Sequence, residues 1–354
     1  MRLLFVSNGH GEIAIASRIA AESRHAGAQR TDHFPLVGVV GDDPQFASVG
    51  PQRAMPSGGL VAMGNVPAFA RDVAAGFVPL WRSQRAFLRD AGLQYDSLVA
   101  VGDVYCLFMA TAAKLPTIFV GTAKSVYVAR YGRFERKLMK EAKKVFVRDA
   151  ATAEDLRSHG IAAESPGNVI ADLSRSDERF AWSGTTRIVV LPGSRGDAYE
   201  NAARVGAILA GLSDRAGIEI VVSIAPGIDA ERMLRAFAIP ARAWNGPLGA
   251  IFSDATLAVG QAGTANEAAA AAGVPVVALA DPSHKEDWYR MRQRRLLDGA
   301  LALVPADPTQ GAQTLRALLD DETRRAEMSR IGRERIGPPG AATAIAAAVL
   351  ATAN

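Results

Sequence analysis

Short apolar runs alternate with helix-like stretches along the whole chain, and this alternation constrains the fold more than any other feature. Each run has the length of a buried strand. Strand-like runs that alternate with helices are typical of parallel sheets joined by crossover helices. The runs lie at residues 3–6, 36–40, 98–101, 117–120 and 144–147, and then at 187–191, 219–224, 255–259, 274–278 and 301–304.

The alternation stops once, across a polar stretch at 174–186, and then restarts. A chain of 354 residues exceeds one ordinary domain. We therefore predict two doubly wound α/β domains, at 1–173 and 187–337, with the polar stretch as the linker. Two prolines and a glycine at 338–340 precede a last alanine-rich helix at 341–354.

Charge and cysteine content argue against several classes of function. Lys and Arg outnumber Asp and Glu by 20 to 16 over 1–172 and equal them, 20 to 20, over 173–354. This excess is too weak for a nucleic-acid surface but suits an anionic membrane or substrate. The single cysteine, Cys106, excludes a disulfide within the chain, and its apolar neighbours predict a buried structural thiol. Since no membrane span or signal-peptide pattern is found, we predict a cytoplasmic protein.

The segment 66–88 has the pattern of a basic amphipathic helix, with apolar residues at helical spacing and arginines between them. Such a helix can lie in a membrane interface, so peripheral membrane contact through residues 66–89 is one interpretation. The alternative is a surface helix that packs on the protein's own core. A second basic cluster, at 130–144, is predicted to be a solvated helix face.

A glycine-rich turn, Ser-Asn-Gly-His-Gly-Glu at 7–12, follows the first strand-like run. Glycines allow close approach of backbone or ligand, and the next helix begins with free N–H groups. Open α/β folds bind ligands at this edge of the sheet, which makes His10 a candidate catalytic residue, although it alternatively only caps the turn. Its neighbours Asn8, Gly9, Gly11 and Glu12 are candidate acceptor-site residues.

Asp103 follows the run at 98–101 in the same half of the chain as His10. A carboxylate and an imidazole at one site suggest a general base and its orienting partner. Alternatively, Asp103 caps the helix that follows it. Near the end of the first domain, Asn168 and Asp172 either contact substrate or turn the chain.

Two turns in the second half have the composition of a nucleotide site. Leu-Pro-Gly-Ser-Arg at 191–195 places Gly193, Ser194 and Arg195 at a helix start suited to a diphosphate, although it is alternatively a simple turn. Gly-Gln-Ala-Gly-Thr-Ala-Asn-Glu at 260–267 follows another strand-like run. Thr264 and Glu267 there have the spacing of a capping box, but Glu267 alternatively accepts from ribose hydroxyls.

Several motifs are missing from the sequence. It contains no Asp-x-Asp triplet, no nucleoside-triphosphate loop and no Gly-x-Gly-x-x-Gly after the first run. The other four histidines are scattered. We therefore predict neither a metal site nor a cofactor.

These motifs resemble those of the lipid-A-disaccharide synthase family and its related family, which are GT-B glycosyltransferases. The resemblance rests on the turns at 191–195 and 263–267, the strand end at Asp103, and Gly-Asn…Ala-Asp at 167–172, in the family's order. The turn at 7–12 is closer to the related family, and it is also similar to the Gly-Gly-His turn of the peptidoglycan N-acetylglucosaminyltransferase.

The resemblance implies a GT-B fold, two Rossmann-like domains facing a cleft, with helix 341–354 returning to the first. It implies metal-independent, inverting transfer of a glucosamine-type sugar from a UDP-sugar to a lipid-linked or amphiphilic acceptor, without nucleic acid. His10, held by Asp103, would be the base in the acceptor domain. Ser194 and Arg195 would bind the diphosphate and Glu267 the ribose. The implied donor site comprises Gly193, Ser194, Arg195, Gln261, Gly263, Thr264, Asn266 and Glu267.

Two other functions stay open at this point. One is a UDP-sugar epimerase or hydrolase on the same fold. Several acids near the anomeric carbon would favour it, and the sequence offers only Asp103 and Glu12 as candidates. The other is a non-catalytic protein that binds a sugar nucleotide, possesses the donor site and does not depend on His10.

Overall fold

The chain forms two compact units, Met1–Val169 with Gly340–Asn354, and Ile170–Pro339. The computed structural model describes residues 1–37, 43–53, 55, 66–194, 197–212, 216–261, 263–280 and 287–352. Within these ranges the side chains of His10, 66–69 and 287–290 are outside the description. Each unit contains one six-stranded parallel sheet, in agreement with the predicted α/β class.

The sheet of the first unit has the order β2-β1-β3-β4-β5-β6, and all its strands are parallel. Alternate apolar side chains of these strands face the helices and form one core, which includes Leu4, Val6 and Phe34. The strands are β1 (Arg2–Ser7), β2 (Arg30–Pro35), β3 (Ser97–Gly102), β4 (Thr117–Gly121), β5 (Lys144–Val147) and β6 (Ala163–Glu164). The helices are α1 (His10–His25), α2 (Val66–Ala74), α3 (Phe77–Asp90), α4 (Val104–Ala110), α5 (Arg133–Met139) and α6 (Ala150–Ser158).

The predicted strand at 36–40 is wrong, because β2 lies earlier, at Arg30–Pro35. Three of its buried residues are polar (Thr31, Asp32 and His33), so the strand does not show an apolar pattern. Asp32 accepts a 2.5 Å hydrogen bond from the Tyr95 hydroxyl, and the ring of His33 bonds to Ser7 Oγ over 2.7 Å. Hydrogen bonds of this kind offset the cost of burying polar groups in a strand. Residues 38–40 are outside the described part of the chain.

The second unit repeats the architecture with the sheet order β12-β11-β10-β7-β8-β9. Its strands are β7 (Thr186–Leu191), β8 (Ile218–Ser223), β9 (Arg242–Trp244), β10 (Leu257–Gly260), β11 (Val276–Ala280) and β12 (Leu301–Pro305). Its helices are α7 (Ala198–Ala210), α8 (Ala230–Phe237), α9 (Leu248–Phe252), α10 (Thr264–Ala272), α11 (Asp287–Leu297), α12 (Pro308–Asp320) and α13 (Glu322–Ile336).

The stretch predicted as a linker packs within the second unit. Phe180 is buried there, and its ring lies edge-on to Trp182 and Trp244 at 4.8 and 5.4 Å. Arg242 stacks on the same ring at 4.1 Å. Aromatic and cation–π contacts thus hold a segment that has no regular secondary structure.

The last helix, α14 (Ala341–Ala351), belongs to the first unit. Its apolar face is buried, and Thr343 Oγ1 donates to Glu22 Oε2 of α1 over 3.0 Å. Small alanine side chains allow the two helices to pack closely. The chain therefore ends in the unit in which it began.

The segment 66–88 forms two helices, α2 and α3, which are separated at Gly76 (φ +97°). Leu80 and Leu88 of α3 are buried in the first unit's core, and Arg85 stacks on the Trp81 ring at 5.3 Å. The apolar face of α3 therefore packs on the protein's own core, as the alternative interpretation held. In the described part of the chain, no helix has both the length and the apolar character needed to cross a membrane.

Candidate functional site

The strand order marks one position in each sheet where a ligand can bind. Successive strands run outward in one direction from β1 and in the other from β3, so the order reverses between these two neighbours. In the second unit it reverses between β7 and β10. Open α/β sheets bind ligands beyond the carboxyl ends of strands at such a reversal. The glycine-bearing turns singled out in the sequence follow β1, β7 and β10, and Asp103 follows β3.

In the first unit, Asn8 and Asp103 meet across the reversal. Ser7 is in register with Val101, so the residues that follow the two strands are neighbours. Asn8 Nδ2 donates to Asp103 Oδ2 over 3.0 Å. The structure thus brings together two residues that the sequence analysis singled out 95 positions apart.

Asp103 also caps α4, as the alternative interpretation held. Its Oδ1 accepts from the backbone N–H groups of Tyr105 and Cys106, at 2.9 and 3.3 Å. Burial raises the pKa of the Asp103 carboxyl, and the hydrogen bonds from Asn8 and the backbone offset part of that rise. The carboxylate is therefore held rigidly and desolvated, which suits a group that positions its neighbours. Cys106 is buried as predicted, and burial raises the pKa of its thiol.

The turn between β1 and α1 is tight. A Cβ on Gly9 would overlap Glu12 Oε2, and one on Gly102, where φ is +131°, would lie 3.0 Å from Glu12 Cγ. The Glu12 side chain therefore folds back over the turn and fills the space that both glycines leave. Gly11 is the second residue of α1. His10 opens α1, and its imidazole is outside the described side chains.

Beneath this turn lies a buried pair that the sequence analysis did not single out. Ser7 Oγ and His33 Nε2 are 2.7 Å apart, and the imidazole stacks on Phe46 at 4.9 Å. Burial lowers the pKa of His33 to about 4, so the ring is neutral at physiological pH. Ser7 directly precedes Asn8, so this pair supports the residue that binds Asp103.

In the second unit the two turns are adjacent. Leu191 pairs with Gly260, and the backbone N–H of Gln261 donates to the Leu191 carbonyl at 3.4 Å. Among the described residues, no atom would lie within 4 Å of a Cβ on Gly193 or Gly263, so the described part of both turns leaves open space beside the backbone. Their φ values, +107° and +92°, favour glycine at both positions. This arrangement permits a ligand to approach the backbone closely.

The first of these turns has an anchor that was not predicted. Asn201 of α7 donates from Nδ2 to the Pro192 carbonyl at 3.1 Å, which fixes the chain just before Gly193. Ser194 follows and is half-buried. Arg195, the predicted diphosphate ligand, lies outside the described residues.

The second turn does not form the capping box considered from the sequence. Gly263, not Thr264, is the N-cap of α10, and the helix has no side-chain cap. Thr264 is thus the first helical residue, and Glu267 lies buried one turn later. Both amide atoms of the buried Gln261 side chain lack a hydrogen-bond partner among the described residues. Buried polar atoms are nearly always satisfied in native structures, so this carboxamide is suited to a polar ligand group.

Gln293 of α11 is the functional candidate that sequence reasoning missed. It accepts from Asn266 Nδ2 at 2.9 Å and donates from Nε2 to the Gly263 carbonyl at 3.1 Å. Asn266 is fully buried and also donates to the Gly260 carbonyl at 3.3 Å. Asn266 therefore fixes the Gly260 end of the turn, and Gln293 fixes its Gly263 end. In the sequence, Gln293 is a single glutamine within an arginine-rich helix, and no pattern there indicates that it contacts the turn.

The remaining predicted residues, Asn168 and Asp172, do not share a unit. Asn168 follows Gly167 (φ +121°) at the end of the first unit, and Asp172 belongs to the second. Both side chains are buried. Within the described ranges, no group of three or more His, Cys, Asp or Glu side chains is placed to hold a metal ion.

No protein-family model and no curated protein matches the chain. Solved structures do resemble it. The glycosyltransferase SnogD from Streptomyces nogalater superposes with a TM-score of 0.59 at 20% identity, over 100% of both chains. MurG of Acinetobacter baumannii gives 0.58 at 16% identity, over 99% of both. The UDP-GlcNAc 2-epimerase of Neisseria meningitidis, bound to UDP-GlcNAc, gives 0.58 at 12%, over 99% of this chain and 100% of the other. These likenesses confirm the predicted two-domain α/β fold of GT-B type.

Proposed function

We propose that the chain is a glycosyltransferase that moves a sugar from a UDP-sugar to a lipid-linked acceptor. One observation carries the proposal. At the position where its strand order reverses, each sheet is followed by a glycine-bearing turn. Hydrogen bonds between side chains hold the polar residues beside that turn in place. Similarity in fold to SnogD and MurG is consistent with this, since SnogD is itself a glycosyltransferase.

On the acceptor side, His10 is proposed as the general base. It accepts the proton of the acceptor hydroxyl while that oxygen forms its bond to the anomeric carbon. Asp103 and Asn8 act as positioning residues, since their hydrogen bond fixes the turn that leads into His10.

On the donor side, the bond from the anomeric carbon to the diphosphate breaks, and its electron pair leaves with UDP. The departing charge is stabilised by Arg195, Ser194 and the exposed backbone at Gly193 and Gly263. Glu267 accepts from the ribose hydroxyls, and Gln261 offers to the nucleotide a carboxamide that has no partner among the described residues. Attack opposite the leaving group inverts the anomeric carbon. No metal takes part in this mechanism, which chelation with EDTA tests.

A lipid-A-disaccharide synthase-like reaction, with an acylated or N-acetylated glucosamine as the sugar, is the finer proposal, and it rests on the motif resemblance. It implies an amphiphilic acceptor and contact with the cytoplasmic face of a membrane.

A UDP-sugar epimerase is the second candidate, favoured by the equal structural similarity to the UDP-GlcNAc 2-epimerase. Its chemistry needs acids beside the sugar. Asp103 is committed to the α4 cap and to Asn8, which argues against a free acid at that position.

The experiment incubates the protein with labelled UDP-sugars, with and without a lipid extract, and identifies products by mass spectrometry. Transfer predicts UDP release and a labelled glycolipid only when lipid is present. An isomerised UDP-sugar without lipid would establish the epimerase, and binding without any product would establish the non-catalytic alternative. His10→Ala should abolish turnover while UDP affinity stays unchanged; undiminished turnover would exclude His10 as the base.

A further inference from the structure

An exposed face that combines aromatic rings with cations surrounds α5 and the loop before it. Phe134, in the first turn of α5, is 64% exposed, and Tyr127 is 50% exposed. Singly exposed apolar residues are normal on a protein surface, but these two rings share a stretch that is rich in Lys and Arg. We call the following exposed residues the α5 patch: Tyr127, Arg130, Arg133, Phe134, Lys137 and Lys140.

Most charged side chains that this region exposes are cations, and one of them, Arg130, pairs with Asp155 at 3.1 Å. Residues 124–144 contain eight Lys or Arg and two Glu, a net +6, against +4 for the whole chain. One of the acids, Glu135, is turned inward, where it accepts from Lys124 Nζ at 2.7 Å and from the Gly132 N–H at 2.6 Å. Glu135 is therefore paired with Lys124 away from solvent, while Arg133, Lys137 and Lys140 stay exposed.

The part of the α5 patch that precedes and opens α5 lies on the same side of the first unit's sheet as the candidate site. β4 ends at Gly121, and β5 begins at Lys144, so α5 runs from the carboxyl edge of the sheet back to the amino edge. The first turn of α5, with Phe134, is therefore nearest the edge that holds Asp103. The charge of Glu135 contributes to the raised pKa of Asp103, as expected for groups that are close together.

We propose that the α5 patch docks the protein on an anionic lipid bilayer, with Phe134 inserted among the head groups and the surrounding cations on the lipid phosphates. This deepens the proposed function and rests on it, because a lipid-linked acceptor must reach the carboxyl edge of this sheet. Apolar insertion and electrostatic attraction reinforce each other in such binding.

Two features favour a bilayer over a nucleic acid. A single strand is bound along a groove in which bases stack on successive aromatic rings, whereas the α5 patch occupies one short helix and its preceding loop. The whole chain is nearly neutral, with 40 Lys and Arg against 36 Asp and Glu, so the attraction is local.

The test is co-sedimentation of the full chain with phosphatidylcholine vesicles that contain about one third phosphatidylglycerol, compared with phosphatidylcholine alone. Wild-type protein should bind the anionic vesicles and not the neutral ones, and added salt should weaken binding. Lys137→Glu with Lys140→Glu should weaken binding at least about tenfold. Phe134→Ser should weaken it about tenfold as well.

Two matched controls keep the result specific. Leu93 is 84% exposed but precedes β3 at the opposite, amino edge of the sheet, so Leu93→Ser should bind as wild type does. Arg82→Glu with Arg89→Glu makes the same change in net charge on the exposed face of α3 and should retain binding.

Absence of binding to anionic vesicles overturns the proposal, as does an equal loss in both charge-reversed pairs. Binding of a 30-nucleotide single strand that depends on Lys137 and Lys140, without vesicle binding, would assign the α5 patch to nucleic acid instead. Because no turnover is measured, failure here is distinguishable from failure of the proposed transferase activity.

Discussion

The carboxamide of Asn8 donates to the carboxylate of Asp103 over 3.0 Å, and the same carboxylate caps α4. One side chain thus ties the turn after β1 to the helix after β3. Capping and the support of a catalytic turn are usually treated as alternatives, but here a single buried group is placed to do both. The two roles can be separated, because they depend on different properties of the side chain.

Asp103→Asn should keep the fold and lose activity. Asparagine is as good an N-cap as aspartate, so the free energy of unfolding should change by less than about 1 kcal/mol. The amide nitrogen that takes the place of Oδ2 cannot accept from Asn8 Nδ2, so the charged hydrogen bond that fixes the turn before His10 is removed, and kcat should fall about 100-fold or more. Urea unfolding measures the change in stability. The rate of UDP release, with the donor and acceptor that the product assay identifies, measures the change in kcat.

Asp103→Ala provides the comparison, because it removes the cap and leaves the Asn8 amide without its acceptor. Together these should cost about 2–3 kcal/mol of stability. If Asp103→Asn turned over at the wild-type rate, Asp103 would be a cap alone and its part in positioning would be refuted.

The fold was largely predictable from the sequence because central strands of parallel sheets are buried on both faces and consequently read as apolar runs. β1, β3, β4, β7 and β10 are of this kind. β2 was misplaced since its burial of Asp32 and His33 depends on Tyr95 and Ser7, which are remote in sequence or hidden in another strand.

The candidate site was predictable to the extent that it lies on local turns. Gly193 and Gly263 could be found because each is a glycine between a strand and a helix. Gln293 could not, because its importance arises from a contact with Asn266 that is 27 residues away in sequence and is set by how α11 packs. A helical hydrophobic pattern records which face is buried but not which hydrogen bonds a buried polar residue makes.

Gln293→Met should weaken nucleotide binding by about tenfold. Methionine fills the same volume but removes the acceptor for Asn266 and the donor for the Gly263 carbonyl. The buried Asn266 amide and the Gly263 carbonyl then lose these partners, and the turn from Gly260 to Gly263 is free to relax away from the conformation that exposes its backbone. Isothermal titration calorimetry with UDP measures the dissociation constant.

Gln84→Met is the matched control for that variant. Gln84 of α3 is also a buried glutamine, and it donates to the carbonyls of Leu36 and Pro51 at 2.9 and 3.3 Å in the first unit. Both variants should lower the melting temperature to a similar degree, but Gln84→Met should bind UDP as wild type does. Equal UDP affinity in wild type and Gln293→Met would reject the positioning role, whereas no UDP binding by wild type would reject the proposed function itself.

The buried His33 should make the first unit sensitive to acid. Its pKa is lowered to about 4 in the folded chain, against about 6.5 when unfolded, so between these values the unfolded state binds more protons. Stability is therefore lost as the pH falls, by about 2 kcal/mol between pH 7.5 and 5. Urea unfolding of the first unit, followed by Trp81 fluorescence with the other tryptophans replaced by phenylalanine, measures this loss. His33→Gln can still bond to Ser7 and should flatten the dependence of stability on pH. His25→Gln, at an exposed position, should leave that dependence unchanged. If His33→Gln showed the wild-type slope, groups other than His33 would be its cause.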